Sequence, residues 1–236
     1  MSTVQINGNC NNINGTTYLD PQLQSILIDE DFICASLNAT CLPATVTNSG
    51  SVAFAGMTGR LGCVSLTTGT VSAAGTASMG SNVNVVALGV SGQFISLESE
   101  VYVFNNLSDG TDSFIVTSGY GDNLSGAAQT DGAFFRYTHS ENAGRWTLVL
   151  VKGGVETTLD SGITVVVNTW YNLRIDSYGN SFTFYINDIN VGTMTGTFAP
   201  ATEFTGVITG IWKTLGTANR VLRVDWVYMY AIHGSR

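Results

Sequence analysis

The sequence predicts an all-β protein, an antiparallel two-sheet jelly-roll sandwich preceded by an extended N-terminal arm. Three observations predict it. From Asp31 onward apolar and polar residues alternate with the period of two that a half-buried strand requires. Gly, Asn and Asp break these runs at hairpin-like intervals, as in "SYGNS", "VKGGVE", "IND" and "SDGTD". No segment has a helical period, and the abundance of β-branched residues and glycines argues against helix throughout. So many strands in one chain protect their edges better as two packed sheets than as one open sheet.

Residues 1 to 28 are rich in Asn and Gln, carry one short apolar run, "SILI", and read as an arm for attachment or assembly. Residues 29–236 read as the jelly-roll domain. Its expected strands are, in order, "SVAFAGM", "CVSLTTG", "NVVALGV", "QFISLESEVYVFN", "DSFIVTSGYG", "GAFFRYTH", "RWTLVLVKG", "VETTLDSG", "WYNLRIDSY", "SFTFYIND", "INVGTMTG", "TGVITGIWKT" and "RVLRVDWVYMYAI". Alternation puts Tyr171, Leu173 and Ile175 on one face and Trp170, Asn172, Arg174 and Asp176 on the other. Phe182, Phe184 and Ile186 share a face opposite Thr183, Tyr185 and Asn187 by the same rule.

Composition narrows the function. At 236 residues the chain suits one large domain rather than two small ones. Only 11% of residues are charged and 44% are hydrophobic, so Ser, Thr and Asn must supply the polar surface. A formal net charge of -8 repels nucleic acid and anionic lipid. No apolar run approaches the roughly 20 residues of a membrane-spanning helix. The N-terminus lacks the basic start and apolar stretch of a secretory signal. Cys10, Cys34, Cys41 and Cys63 match no metal or redox spacing and are read as free thiols, with a Cys34/Cys41 disulfide as the alternative.

The order of "TWYNLRI", "SFTFYIND", "INVGT", "FAPATEF", "VITGIWKT" and "RVLRVDWVYMY" resembles the concanavalin A-like lectin/glucanase superfamily, which includes laminin G-like domains. Upstream, "DEDF", "SLTTG", "LESEVYV" and "DGAFFRY" continue the likeness, over roughly residues 29 to 232. "DGAFFRY", "TTLDSGI", "TWYNLRI" and "VDWVYMY" are most similar to jelly-roll proteins encoded by bacteriophages as head, tail or fibre components. The resemblance implies a virion protein whose surface touches sugars, and these motifs of core and turn specify fold rather than activity.

Glu98 and Glu100 in "SLESEVY" are two residues apart, so on a strand both carboxylates face one side, and paired carboxylates are what glycoside hydrolysis uses. Glucanases of the superfamily carry a third acid in an E-x-D-x-E run; that position here is Tyr102. The alternative is a solvated face on which the two glutamates pair with Arg136, Arg174 or Arg223 of neighbouring strands. Sugar recognition needs an aromatic plate and a few polar partners. The candidates for it are Glu98, Glu100, Tyr120, Asp122, Asn123, Arg136, Trp146 and Trp212, with core or a subunit interface as the alternative for Trp146 and Trp212, whereas Trp170 and Trp226 lie within alternating strands and are expected to pack.

Calcium, used by many members of the superfamily, has candidates in the loop residues Asp109, Asp112, Asp122 and Asp131, which turn chemistry explains equally well. Two histidines, His139 and His233, and no GxSxG elbow leave no basis for a nucleophilic triad or a zinc site, and no catalytic residue is assigned. The expectation is a non-enzymatic accessory virion protein of a bacteriophage. It would assemble in the host cytoplasm, be displayed on capsid or tail through its arm, and bind host-surface glycan weakly. Its expected partners are other virion proteins and further copies of itself. The alternative is a carbohydrate-binding adhesin or, less well supported, a glycan-degrading enzyme.

Overall fold

A computed structural model describes residues 4–6, 15–17, 24–32, 42–57, 59–60, 62–72, 74–81, 86–198 and 204–233. Along the chain the strands are β1 (Val4–Ile6), β2 (Gly15–Thr17), β3 (Gln24–Glu30), β4 (Ala44–Thr47), β5 (Ser51–Phe54) and β6 (Val64–Thr67). They continue as β7 (Thr76–Gly80), β8 (Val86–Ala87), β9 (Gln93–Phe104), β10 (Phe114–Gly121), β11 (Gly132–Tyr137) and β12 (Arg145–Lys152). The last six are β13 (Val155–Thr164), β14 (Trp170–Tyr178), β15 (Ser181–Ile186), β16 (Ile189–Thr195), β17 (Phe204–Lys213) and β18 (Val221–His233).

Two eight-stranded antiparallel sheets stack into a jelly-roll sandwich. The β10 sheet runs β13-β12-β11-β10-β17-β7-β4 with β8 also on β17, and the β9 sheet runs β16-β15-β14-β9-β18-β6-β5 with β3 also on β18. β1 and β2 form a separate two-stranded ribbon. No helix among the described residues is long and apolar enough to cross a membrane.

The alternation read from sequence builds the core. Tyr171, Leu173 and Ile175 of β14 and Phe182, Phe184 and Ile186 of β15 are buried, and they pack against Val116, Phe135, Tyr137, Trp146 and Leu148 of the opposite sheet. Phe135 meets Phe184 edge to face across the sandwich, ring centroids 5.3 Å apart. A buried hydroxyl chain also crosses it: the Ser99 and Ser118 Oγ atoms are 2.7 Å apart, and Ser118 reaches Thr209 at 3.0 Å. Each hydroxyl there has a partner, so burying it costs little.

The hairpin turns have the expected chemistry. Asn187 and Asp188 between β15 and β16, and Gly153 and Gly154 between β12 and β13, all take positive φ, as a two-residue hairpin turn that follows the strand twist requires. Gly75, at the entry to β7, answers to a close approach instead: a Cβ there would lie 1.7 Å from the Thr68 carbonyl oxygen. Gly75→Ala is expected to cost about 1–3 kcal/mol through forced backbone movement; an unchanged midpoint in thermal unfolding would contradict the crowding.

Four elements differ from expectation. β3 pairs with β18 from Glu30↔Val227 to Gln24↔His233, so residues 24–28, assigned above to the arm, belong to the β9 sheet. Ile28, the last residue of their apolar run, packs against the core. β4 and β7 were not foreseen because "ATVT" and "TASMG" lack bulky alternating residues, and the described residues of "NVVALGV" contribute the two residues of β8.

Candidate functional site

The β9 sheet turns one face to the core and leaves the other open. On β9, Ile95, Leu97 and Val101 point inward, so Ser96, Glu98, Glu100 and Tyr102 take the open face. Each has a partner on either side: Glu100 lies between Asn172 of β14 and Trp226 of β18, Glu98 between Arg174 and Tyr228, and Ser96 between Asp176 and Tyr230. A bulge shifts the register of β18 between Val224 and Trp226. The extra residue, Asp225, sets its carboxylate beside Glu100, and every later position on the strand changes face.

Arg60, from the loop between β5 and β6, closes over this point. Its Nη1 and Nη2 donate to the two Glu100 carboxylate oxygens, both at 2.6 Å, and Nη1 donates to Asp225 Oδ2 at 2.5 Å. Trp226 Nε1 gives Glu100 a third hydrogen bond at 2.9 Å. The guanidinium carbon stands 4.6 Å above the centre of the Trp170 ring, which itself lies 4.9 Å from Tyr102. Burial pushes the Asp225 carboxyl above the usual aspartate range; Arg60 opposes that shift and the Glu100 charge adds to it.

Glu98 accepts a hydrogen bond from Asn172 Nδ2 at 2.5 Å. Arg174, its neighbour, turns to Asp188 at 2.9 Å and Asp176 at 3.6 Å and stacks 4.2 Å over Tyr185. Along β18 the Tyr228 and Tyr230 rings are 5.8 Å apart, with Phe94 5.6 Å beyond Tyr230. An open cavity of about 590 Å³ lies against this stripe, lined by Asp29 and Asp31 at the end of β3, Arg60, Glu98, Asp225 and the rings of Trp226 and Tyr228. Aromatic faces beside fixed amides and carboxylates suit a polar ligand with apolar ring faces.

Of the eight sugar-site candidates, Glu98 and Glu100 come together here and the other six lie elsewhere. Tyr120, Trp146 and Trp212 are 0, 0 and 3% exposed. Tyr120 and Trp146 alternate in phase with core residues of β10 and β12, and Trp212 lies over Gly210, so none offers a ring to a ligand. Arg136 sits in the β10 sheet between Glu141 and Glu156, not beside Glu98 or Glu100. Asp122 and Asn123 belong to a loop closed around Gln129, whose Oε1 accepts both their backbone N–H groups at 2.8 Å.

Sequence reasoning did not assign Asp29, Asp31, Arg60, Asp225 or Tyr228 to the site, and it assigned Trp170 and Trp226 to packing. Trp170 and Trp226, expected to pack, are only half-buried and line the open face. Trp170 had a signal, since it shares its face with Asn172 and Arg174; Trp226 and Tyr228 had none, because the bulge reverses their phase.

The calcium candidates do not converge. Asp109 caps its own turn through the Thr111 and Asp112 N–H groups, which lower its pKa, and it faces Arg220 at 3.2 Å. Asp112, Asp122 and Asp131 accept from the backbone N–H groups of Ala218, Thr130 and Gly153. Among the described residues no group of three or more His, Cys, Asp or Glu side chains is placed to hold a metal ion, so these residues do not fit calcium. Cys63 is a buried free thiol, raised in pKa by burial; Cys10, Cys34 and Cys41, and with them the Cys34/Cys41 alternative, lie outside the described residues.

Residues 59–225, which include Arg60, Glu98, Glu100 and Asp225 of the site, match the sequence model of the SO2946-like C-terminal domain family. The chain belongs to that family. The crystal structure of the protein of unknown function SO2946 from Shewanella oneidensis MR-1 is similar to it at 12% identity and a TM-score of 0.59, over 89% of this chain and 87% of that one. The Bacillus licheniformis β-glucanase has the same sandwich at 14% identity and a TM-score of 0.55, over 86% and 97%. So does the carbohydrate recognition domain of Emp46p, at 10% identity and a TM-score of 0.54, over 79% and 87%. At these identities the likeness of this SO2946-like chain to solved structures is one of concanavalin A-like fold. No curated protein matches the sequence.

Proposed function

We propose that this SO2946-like chain is a non-enzymatic accessory protein of a bacteriophage particle, displayed on capsid or tail through its N-terminal segment, and that the open face of its β9 sheet binds glycan. The observation that carries the non-enzymatic part is the state of Glu100. A glycosidase needs one carboxyl free to give a proton and another free to attack or to activate water. Glu100 instead accepts two hydrogen bonds from Arg60 and one from Trp226, which engage both its oxygens and fix its position. Tyr102, where the glucanase pattern has its third acid, is tied to Asn168 at 3.0 Å.

The likeness of "DGAFFRY", "TTLDSGI" and "TWYNLRI" to phage-encoded jelly rolls supports the virion assignment. The rings of Trp226, Tyr228 and Tyr230 beside the cavity support glycan binding, as does the shared fold with a carbohydrate recognition domain. Many copies on one particle would turn a weak contact into a firm one.

Copurification decides the first part. The chain is expected at fixed stoichiometry in purified particles, and a variant lacking residues 1–23 is expected to fold but to be lost from them; equal retention of that variant would remove the role of the segment. A polysaccharide panel decides the second: binding without new reducing ends or unsaturated products is the expected result. Turnover abolished by Glu100→Gln would make the protein an enzyme.

A further inference from the structure

Three strands set one row of side chains across the open face. Tyr228 of β18 is the register partner of Glu98 on β9 and of Asp29 on β3. Residues opposed in this way share a face, and adjacent strands lie about 4.7–4.9 Å apart, so the Glu98 and Asp29 backbones stand about 10 Å from each other with Tyr228 between them. All three line the cavity, and the Trp226 indole forms its next wall. That interval is wide enough for a pyranose ring resting on the phenol, with a carboxylate at either side.

The row carries uncompensated negative charge. Among the described residues no basic group pairs with Asp29 or Glu98; the hydrogen bond to Glu98 comes from the neutral Asn172 amide. The guanidinium lining the cavity, Arg60, is engaged by Glu100 and Asp225, and Arg174 by Asp176 and Asp188. Burial and the nearby charge of Asp31 push the Asp29 carboxyl upward, as crowded carboxylates do. The same face already holds one cation in this manner: Arg60 lies between two carboxylates and over an aromatic ring.

We infer that the cavity takes a glycan unit carrying a free, protonated amino group, the ammonium held by Asp29 and Glu98 and the sugar ring laid against Tyr228 and Trp226. This rests on the reading of the open face as a glycan site and adds the charge class of its ligand. A uronic-acid polymer would set carboxylate against carboxylate in the same place, and an N-acetylated unit would leave both acids without a cation.

Titration calorimetry on the full chain, at low ionic strength and mildly acidic pH, separates the cases with three oligosaccharides of equal length. These are glucosamine, N-acetylglucosamine and mannuronate oligomers. The glucosamine oligomer is expected to bind about ten-fold tighter than its acetylated counterpart, which is about 1.4 kcal/mol, with the preference shrinking as salt is added. Mannuronate is expected not to bind. Asp29→Asn and Glu98→Gln, each checked for an unchanged melting temperature, are expected to erase the preference while keeping the affinity for the acetylated oligomer. Equal binding of aminated and acetylated probes, or binding of mannuronate, overturns the charge class and leaves the glycan site standing. Binding to none of the three overturns both.

Discussion

Trp146→Ala is expected to remove about 3–5 kcal/mol of stability, the range for deleting a large buried ring from a core that relaxes only in part. The indole is fully buried and meets Phe135, Tyr137 and Tyr171 with centroids 6.4, 6.1 and 5.7 Å away. Tyr171 belongs to the opposite sheet, so the cavity left behind would open at the seam of the sandwich. Its Nε1 has no hydrogen-bond partner among the described residues, so the cost is one of packing alone. Urea unfolding measures it. A loss below about 1 kcal/mol, or a loss of glycan binding by a variant that stays fully folded, would return Trp146 to the role of a sugar plate.

The second large effect is expected at Arg60. Arg60→Met leaves the Glu100 and Asp225 carboxylates facing each other without a cation. Breaking a buried pair typically costs about 3–5 kcal/mol. The side chains here are 29, 14 and 12% exposed, and solvent at the guanidinium reduces the expected cost to about 2–3 kcal/mol at neutral pH.

The deficit should depend on pH in a defined direction. Asp225 already has a folded-state pKa above its ordinary value through burial, and Arg60 restrains that rise. Without Arg60 the pKa climbs further. A carboxyl with a raised folded-state pKa binds its proton more tightly folded than unfolded, so the variant gains stability as pH falls through that raised value toward the ordinary aspartate range. Its deficit relative to the parent therefore narrows on acidification, and Asp225→Asn in the Arg60→Met background should recover part of it at neutral pH. A deficit independent of pH would mean that Arg60 acts through its stack on Trp170 and not through the two acids.

The parts of the fold legible in the sequence were those governed by strict alternation. "WYNLRIDSY" became β14 residue for residue, and its two faces fell as parity dictates, because a strand buried on one side has no other register open to it. β18 shows where the same rule fails. Counting by twos from Leu222 and Val224 would send Trp226, Tyr228 and Tyr230 inward, yet all three are half-buried on the open face, and Val227 and Met229 are in the core. One inserted residue at Asp225 reverses the strand, and no side chain nearby announces it.

Arg60 was beyond reach for a different reason. Its partners Glu100 and Asp225 lie 40 and 165 residues away, and its loop has no pattern of its own. Tyr120 was misplaced because its position near a strand end suggested access, whereas it is completely covered; Trp146 and Trp212, for which core was the alternative, are buried as that alternative has it.

The pairing of β3 with β18 fixes more than a wall of the cavity. Because Gln24 and His233 are register partners, the chain enters and leaves the sandwich at the same rim. A tether at either terminus would hold the protein from that one side, which also carries the β14–β15 turn, and the far rim, where the β9–β10 and β17–β18 connections lie, would be free to vary without disturbing the mooring.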